Sequence, residues 1–254
     1  MCGRFVITSP PAALRQIFGY IEQPNFPPRH NIAPTQPIPV VILENGARHF
    51  RLMRWGLLPG WVKDPQKFTL LINARSETVT AKPAFKNAIR RRRCLIPADG
   101  YYEWQGSEKP KRPFFIHRRD GAPIGLAGLA ETWTGPNGEE LDTVAIVTAP
   151  ASADLSVLHH RVPVTIAPGD FDRWLDCSAD TAEDAMALLR APEEGEFAWH
   201  EISTRVNRVA NDDAQLILPI SADERDAEEA KPEKKASPRK PAPVAKDDGQ
   251  GSLF

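Results

Sequence analysis

Between residues 38 and 148, short runs of β-forming residues alternate with turn signals, and this alternation constrains the fold more than any other feature of the sequence. Aliphatic and aromatic residues dominate eight such runs, namely 38–43, 50–55, 68–72, 94–96, 101–104, 114–117, 124–130 and 143–148. The dipeptides Asp120-Gly121 and Asn137-Gly138 lie between runs and are typical of tight hairpins. The pattern predicts an α+β fold, in which a single β-rich domain of mainly antiparallel, barrel-like sheet carries a few short helices.

The helices are predicted from a different periodicity. Apolar residues recur at helical spacing between Leu14 and Ile21, which predicts an amphipathic helix over 10–21. Ser9 precedes it as a candidate N-cap, and the prolines that follow are tolerated in a first helical turn. Further short helices are predicted over 83–91, 169–175 and 180–190, and a last strand over 197–202.

Composition excludes several classes of protein. With 41% hydrophobic residues the chain can build a core, and it contains no apolar run long enough to span a membrane. The N-terminus lacks the pattern of a secretory signal, so we expect a cytoplasmic protein with no membrane partner. Cys2, Cys94 and Cys177 are isolated from one another, which argues against disulfide bridges and a structural zinc site. The absence of an excess apolar stripe favours a monomer.

After residue 221 the composition changes. Residues 222–254 hold seven Lys/Arg and eight Asp/Glu but few hydrophobic residues, which predicts a disordered tail on a domain of residues 1–221. The tail ends in Gln250-Gly251-Ser252-Leu253-Phe254. This end resembles the pentapeptide with which many bacterial replication and repair proteins bind the sliding clamp. Gln250, Leu253 and Phe254 are therefore candidate clamp-binding residues, with a fortuitous terminal sequence as the alternative.

Cysteine occupies the second position, so removal of Met1 leaves an α-amine and a thiol on one residue. Such an amine condenses with an aldehyde to an imine, and the thiol then closes onto the imine carbon as a five-membered thiazolidine. Unperturbed pKa values of about 7.7–8.0 for the amine and about 8.5 for the thiol leave part of each group nucleophilic near neutral pH. The alternative is that Cys2 is a small residue in a frayed terminus.

Four motifs follow one another along the chain. They are Met1-Cys2-Gly3-Arg4-Phe5, Asn73-Ala74-Arg75-Ser76-Glu77-Thr78, Gly100-Tyr101-Tyr102-Glu103-Trp104 and His159-His160-Arg161-Val162-Pro163. Asn31-Ile32-Ala33-Pro34 and the tryptophan-containing segment 55–61 lie between the first two. In this order they resemble the SRAP (SOS response-associated peptidase) family over residues 2–220. The resemblance implies a β-rich enzyme that crosslinks to abasic sites in single-stranded DNA, without a metal or other cofactor.

The resemblance also implies roles for individual residues. Cys2 matches the nucleophile, Glu103 a general acid/base, and His159 a group that assists opening of the sugar ring. Asn73 matches an asparagine that holds the terminus or the sugar. The DNA-binding residues implied in the same way are Arg4, Asn31, Pro34, Trp61, Arg75, Trp104 and Arg161. The arginines would bind phosphates, and the two tryptophans would stack on bases.

The implied function is capture of abasic sites at the nucleoid as a covalent thiazolidine that shields the lesion during replication. Two alternatives remain open. A cysteine peptidase would pair Cys2 with His159 and would need no free α-amine. A non-covalent reader of modified bases would bind DNA reversibly and would not need the Cys2 thiol.

The four consecutive arginines at 90–93 are either a further DNA-binding patch or a solvated helix face.

Overall fold

The computed structural model describes residues 2–106, 111–178 and 182–230 of the chain. Its strands are β1 (Phe5–Ile7), β2 (Arg29–Ile32), β3 (Pro37–Glu44), β4 (Ala47–Trp55), β5 (Asn73–Arg75), β6 (Arg93–Ala98), β7 (Gly100–Gln105), β8 (Arg112–Arg118), β9 (Ile124–Thr134), β10 (Glu140–Pro150), β11 (Arg161–Pro163), β12 (Thr165–Ile166) and β13 (Phe197–Glu201). Its α-helices are α1 (Pro11–Phe18), α2 (Ala88–Arg91), α3 (Ala153–Ser156), α4 (Phe171–Leu175), α5 (Ala182–Met186) and α6 (Ala222–Glu229). Short 3₁₀ helices span Pro168–Asp170, Thr204–Asn207 and Ala214–Ile217. The prediction of a mainly antiparallel α+β fold is confirmed.

Five of the strands close a barrel. Antiparallel pairing runs from β4 to β3, β6, β9 and β10, and parallel pairing of β10 with β4 completes the ring. β5 and β11 add to β10, and β12 adds to β9. Val41, Leu95, Leu126 and Ile146, each on a barrel strand, are fully buried in the main core. Ring closure satisfies backbone groups that an open sheet would leave at its edges, so the barrel is a rigid support for what surrounds it.

A second sheet brings the N-terminus to the barrel. Its strand order is β13-β8-β7-β1-β2, so β1 lies between β7 and β2. Phe5 on β1 pairs with both Tyr101 and Ile32, and its ring packs edge-on against Trp55 of the barrel at 5.1 Å. Residues 2–4, which precede β1, are thereby placed at the junction between the sheet and the barrel.

Several predicted elements differ from the observed ones. The segment 68–72 is not a strand: Leu71 forms only an isolated bridge with Leu57, and regular pairing begins at Asn73. The first helix is shorter than predicted because Gly19, at φ +71°, ends it. Ser9 does not cap it, because its hydroxyl donates to Asp99 at 2.5 Å. Among the described residues of 83–91 and 180–190, only α2 and α5 are α-helical, and the short strands β1, β2, β11 and β12 were not predicted.

The segment after residue 221 is also different from the prediction. Residues 222–229 form α6, whose N-terminus is closed by a capping box between Ser221 and Glu224. The expectation of disorder is therefore wrong for this part of the segment. The candidate clamp-binding residues Gln250, Leu253 and Phe254 lie outside the described residues.

In the part of the chain that the structure describes, no helix has the length and apolar character needed to cross a membrane.

Candidate active site

Cys2 is fully buried where the N-terminal sheet meets the barrel. Its carbonyl oxygen accepts a hydrogen bond from Asn73 Nδ2 at 2.9 Å. Asn73 is the first residue of β5 and is held by parallel pairing with Ile146 of β10. The amide of Asn73 thus anchors the backbone of Cys2 to the barrel wall, as expected for an asparagine that holds the terminus.

Glu103 projects from β7 and is only 3% exposed. Side chains alternate along a strand, so Glu103 shares a face with Tyr101, while Tyr102 and Trp104 point to the other face. Burial raises the pKa of Glu103, and the ammonium group of the chain terminus opposes that rise. The pKa of this carboxyl group is therefore shifted towards neutral pH, where a group that takes and returns protons works best.

The thiol of Cys2 is affected by the same surroundings. Burial is the largest cause of its raised pKa, and the charge of Glu103 raises it further. The thiol is therefore protonated at neutral pH and must lose its proton to a neighbouring group as sulfur forms a bond. This differs from the sequence expectation, which gave the thiol an unperturbed pKa.

His159 lies two residues before the start of β11, and the centroid of its ring lies 4.3 Å from that of His160. Its Nδ1 lies 3.0 Å from the Arg161 backbone nitrogen. Burial lowers the pKa of His159 to about 4, and the charge of the chain terminus contributes to the same effect. The imidazole is therefore neutral at physiological pH. Its Nδ1 also lies 3.1 Å from the Arg161 carbonyl oxygen, so the tautomer decides whether Nδ1 accepts from the amide or donates to the carbonyl.

Arg161 does not lie on the surface as a phosphate-binding residue would. It is 5% exposed, and its guanidinium donates to both carboxylate oxygens of Glu77 at 2.6 and 2.9 Å. It also donates to Thr148, to the hydroxyl at 3.2 Å and to the carbonyl at 2.6 Å. All three guanidinium nitrogens are engaged inside the protein, so the implied DNA contact of Arg161 is not supported. The residue instead fixes the backbone that positions His159.

Asn31 is likewise internal. Its side chain is 1% exposed, and its Nδ2 donates to the carbonyls of Val206 and Asn211 at 3.2 and 2.7 Å. Its Oδ1 accepts from Arg4 Nη1 at 2.6 Å. Asn31 therefore connects β2 to the segment that follows residue 203, and this structure does not present it to DNA.

Arg4 and Trp104 form a half-buried pair. The Arg4 guanidinium carbon lies 5.8 Å from the Trp104 ring centroid, and Arg4 Nη1 also donates to the Val206 carbonyl at 2.9 Å. The indole N–H of Trp104 donates to Asn207 Oδ1 at 2.7 Å. Arg4 follows Cys2 by two residues and Trp104 follows Glu103 directly, so the chain itself places this pair beside the buried groups.

The remaining implied DNA-binding residues are accessible. Arg75 is exposed at the end of β5, two residues after Asn73, and Pro34 is half-buried in the turn between β2 and β3. Trp61 is 60% exposed and packs edge-on against Phe68 at 5.6 Å. We refer to Cys2, Asn73, Glu103 and His159 as the inner group, and to Arg4, Trp61, Arg75 and Trp104 as the outer group.

The arginine run at 90–93 fits a solvated helix face only in part. Arg93 is 2% exposed and donates to the carbonyls of Ile89 and Trp174 at 2.7 and 2.6 Å. Arg90, Arg91 and Arg92 are exposed at the end of α2. The run therefore combines one structural arginine with a solvated helix end.

Two residues at the site were not singled out by sequence reasoning. Glu77 lies within the second motif, but its contact with Arg161 joins residues 84 positions apart. Tyr101 is fully buried, and its hydroxyl has no hydrogen-bond partner among the described residues. Periodicity identified Tyr101 as a strand residue and gave no sign that its hydroxyl is unsatisfied. No group of three or more His, Cys, Asp or Glu side chains is arranged to hold a metal in the described ranges.

Comparison with known proteins identifies the family of this chain. Residues 1–209 match the SOS response associated peptidase (SRAP) family. The abasic site processing protein YoaM of Bacillus subtilis is 33% identical over 221 residues, covering 85% of this chain and 97% of that protein. The abasic site processing protein YedK of Escherichia coli is 34% identical over 194 residues, covering 76% and 85%. The abasic site processing protein HMCES of Gallus gallus is 32% identical over 265 residues, covering 87% and 78%.

Solved structures share the architecture. A protein of Bacteroides thetaiotaomicron superposes with a TM-score of 0.77 at 22% identity, covering 87% of this chain and all of that one. A phage-related protein of Bordetella bronchiseptica gives a TM-score of 0.64 at 29% identity, covering 79% and 94%. With the family matched over most of its length, this chain belongs to the SOS response associated peptidase (SRAP) family.

Proposed function

We propose that the protein captures abasic sites in single-stranded DNA as a covalent thiazolidine on Cys2, after removal of Met1, and shields the lesion during replication. The observation that carries this proposal is the inner group: Cys2 is anchored by Asn73, and the charge of Glu103 acts on its thiol. Relatives at 32–34% identity are named abasic site processing proteins, which supports the choice of substrate.

The reaction balances as a condensation. The neutral α-amine of Cys2 adds to the aldehyde carbon of the open sugar, and the resulting carbinolamine loses water to give an imine. The thiol then adds across the C=N bond, so that sulfur bonds to carbon and the thiol proton ends on nitrogen. The product contains protein and DNA less one water, and no oxidant, reductant or metal takes part.

Two inner residues move the protons in this scheme. Glu103 takes a proton from the ammonium, returns one to the departing hydroxyl of the carbinolamine, and accepts the thiol proton on its way to nitrogen. His159, held neutral by burial, accepts the proton of the anomeric hydroxyl as the closed sugar opens and gives a proton to the ring oxygen, so that the imidazole is neutral before and after the step. Asn73 acts through hydrogen bonding alone, because an amide exchanges no proton near neutral pH.

The outer group supplies binding that does not depend on sequence. Arg75 and Arg4 bind phosphates beside the lesion, and the faces of Trp61 and Trp104 accept unstacked bases at about 1–3 kcal/mol per base. Pro34 shapes the turn next to Arg4 and its partner Asn31. Since stacking requires a base that is free of its duplex partner, we expect single strands to bind better than duplexes.

The two alternative functions differ from aldehyde capture because neither of them uses the N-terminal amine. A peptidase that pairs Cys2 with His159 needs a thiolate, yet the pKa of the Cys2 thiol is raised and the imidazole is a weak base. A non-covalent reader needs neither group. Both lack a use for an amine on the same residue as the thiol, which condensation with an aldehyde requires.

Intact-mass analysis tests the proposal directly. The protein is mixed with a uracil-containing oligonucleotide that has been treated with uracil-DNA glycosylase, and the adduct is heated before measurement. We expect the summed masses less one water for the wild type. A variant with one alanine inserted before Cys2 blocks the amine and is expected to give no adduct, while Cys94→Ala, which removes another buried thiol, is expected to react normally. An adduct with the extended variant, or none with the wild type, would refute the mechanism.

We also propose that the terminal peptide carrying Gln250, Leu253 and Phe254 binds the bacterial sliding clamp and brings the protein to the nucleoid. The supporting observation is its sequence, in which a glutamine, two small residues and two large hydrophobic residues follow a charged segment. Deleting these five residues is expected to weaken clamp binding in a pull-down while crosslinking in solution is unchanged. Equal clamp binding without the peptide contradicts this part of the proposal.

A further inference from the structure

Helix α6 lies beyond residue 209, where the family match ends, yet charged contacts fasten it to the domain. Glu228 Oε1 accepts from the Ser203 hydroxyl at 2.5 Å, and its two oxygens lie 3.1 and 3.0 Å from the Thr204 amide nitrogen. On the same helix Arg225 pairs with Glu201 at 3.0 Å. Because unpaired N–H groups at the start of a helix attract a carboxylate, Glu228 caps the 3₁₀ helix Thr204–Asn207.

That 3₁₀ helix supplies the acceptors on which two outer residues depend. The Val206 carbonyl accepts from Arg4 at 2.9 Å, and Asn207 Oδ1 accepts from the Trp104 indole at 2.7 Å. Val206 is fully buried in a small cluster with Tyr102. Glu228, Arg4 and Trp104 therefore all contact the same short turn of backbone.

Helix α6 is short and strongly acidic. The helix has eight residues, five of them acidic and none a large hydrophobe. A helix this short is marginal by itself, so it owes its order to the contacts described above. Its acidic charge also repels DNA, so a helix with no role in binding would weaken affinity simply by being present.

We propose that Glu228 is a positioning residue for DNA binding, which holds the 3₁₀ helix Thr204–Asn207 in place and thereby orients Arg4 and Trp104. This inference rests on the proposed function, because Arg4 and Trp104 matter to activity only if the outer group binds DNA.

The test compares Glu228→Ala with Asp226→Ala in the full-length protein. Each variant removes one negative charge from α6, but Asp226 is exposed, and the hydrogen bonds to the start of the 3₁₀ helix described above are made by Glu228. Reversible affinity is measured on a single-stranded oligonucleotide with a tetrahydrofuran at the lesion, which cannot form an aldehyde. We expect about 3- to 10-fold weaker binding for Glu228→Ala, a modest effect because Glu228 would act on the DNA contacts only through the 3₁₀ helix and does not touch DNA itself. Asp226→Ala is expected to bind equally well or slightly better, since it loses a repulsive charge.

Single-turnover crosslinking with an abasic oligonucleotide adds a readout that a general loss of stability would not give. We expect Glu228→Ala to raise the half-saturating DNA concentration more than it lowers the rate at saturation, because the contacts of α6 described above are to residues 201, 203 and 204 and not to the inner group. Glu228→Gln, which keeps one acceptor oxygen, is expected to fall between the wild type and Glu228→Ala.

Hydrogen exchange in the free protein separates failure of this inference from failure of the proposed function. Amides of residues 204–211 are expected to exchange faster in Glu228→Ala than in Asp226→Ala, whether or not the protein binds DNA. Equal exchange in the two variants, or faster exchange without weaker DNA binding, overturns the positioning role. If the wild type neither binds nor crosslinks the oligonucleotides, the proposed function fails, and the exchange data still report whether Glu228 holds the turn.

Discussion

Around Cys2 the functional side chains are withdrawn from solvent, whereas much of the outer group remains accessible. Cys2 is fully buried and Glu103 is 3% exposed, while Trp61 is 60% exposed. The inner environment favours the neutral form of each titratable group in it: the thiol, the carboxyl and the imidazole. Such a site suits proton transfer, because none of the three groups is fixed in a charged state. The outer side chains suit binding that tolerates any sequence and depends on salt.

Arg161 shows that this division does not follow residue type. A guanidinium is a good phosphate ligand, yet here it is buried and neutralised by Glu77, so it belongs with the inner environment. The comparison therefore predicts different consequences for substitutions in the two regions. Substitutions in the inner environment should alter the crosslinking rate or the stability, and the pH dependence of either. Substitutions in the outer group should alter the affinity for DNA and its salt dependence.

The largest expected effect is that of Glu103→Gln. Loss of a general acid/base lowers the single-turnover crosslinking rate by about 10²- to 10⁴-fold. The same change should stabilise the fold at pH 7–8: the raised pKa of Glu103 means that the folded state binds its proton more tightly, so deprotonation opposes folding. The gain in stability should vanish below the unfolded pKa of about 4.3, and a gain of about 1 kcal/mol raises Tm by about 2–4 °C in a domain of this size.

Quenched time courses measure the crosslinking rate, and calorimetry at several pH values measures the stability of the fold. Glu131→Gln, on β9 and paired with Arg92 at 3.5 Å, serves as the control and should change neither by much. A Glu103→Gln protein that is less stable at neutral pH would show that the carboxylate is held by favourable charges rather than disfavoured by burial. Full crosslinking activity in that variant would remove Glu103 from the mechanism.

Glu77→Gln tests whether Arg161 belongs to the inner environment. Breaking a buried pair leaves an uncompensated charge, and because Glu77 itself is half-exposed we expect a loss of about 1–3 kcal/mol in unfolding free energy. The pKa of Glu77 is lowered to about 2, mainly by its hydrogen bonds with Arg161. Its contribution is therefore complete above the unfolded pKa of about 4.3 and is lost as the pH falls through about 2.

Denaturant unfolding of wild type and Glu77→Gln between pH 3 and 8 gives the difference directly. Glu44→Gln, which leaves an exposed pair with Arg51, is the matched control and should cost less than about 1 kcal/mol. We also expect slower crosslinking by Glu77→Gln, since the backbone that holds His159 loosens. A stability difference that does not depend on pH would mean that the pair contributes through packing alone.

The strands of the barrel could be predicted because alternating residues and hairpin turns are local signals, and the runs at 38–43, 94–96 and 143–148 lie within observed strands. β5 was displaced from the predicted run at 68–72 because its pairing with β10 decides its position, and that partner is some 70 residues away. The inner residues were predicted from the motif resemblance, which indicates their chemistry but not how far each side chain is buried or what it contacts. Whether Arg161 is exposed depends on Glu77 and Thr148, and nothing local to its own segment reports them.

Substitutions in the outer group should separate stacking from charge. Trp61→Ala is expected to weaken reversible binding by about 1–3 kcal/mol with little change in the salt slope. Arg75→Gln is expected to reduce that slope by about 0.7 for one lost phosphate contact on a single strand. Titrations at several salt concentrations measure both, with Arg190→Gln, an exposed arginine near Glu193, as the control. A salt slope that falls equally in the control would mean that Arg75 contributes only to overall charge.

The smallest expected effect comes from neighbouring tyrosines on opposite faces of β7. The Tyr102 hydroxyl donates to the His30 carbonyl at 2.6 Å, whereas the buried Tyr101 hydroxyl has no partner among the described residues. Tyr102→Phe should therefore cost about 0.5–1.5 kcal/mol of stability and leave the saturating crosslinking rate alone, while Tyr101→Phe removes an unsatisfied group and should be neutral or stabilising. An unsatisfied hydroxyl on the face of Glu103 can bond to the carbinolamine once the sugar is bound, so we expect about 2- to 5-fold slower crosslinking by Tyr101→Phe. If the two variants instead lose stability equally with no change in rate, the Tyr101 hydroxyl belongs to the core and not to the chemistry of the inner group.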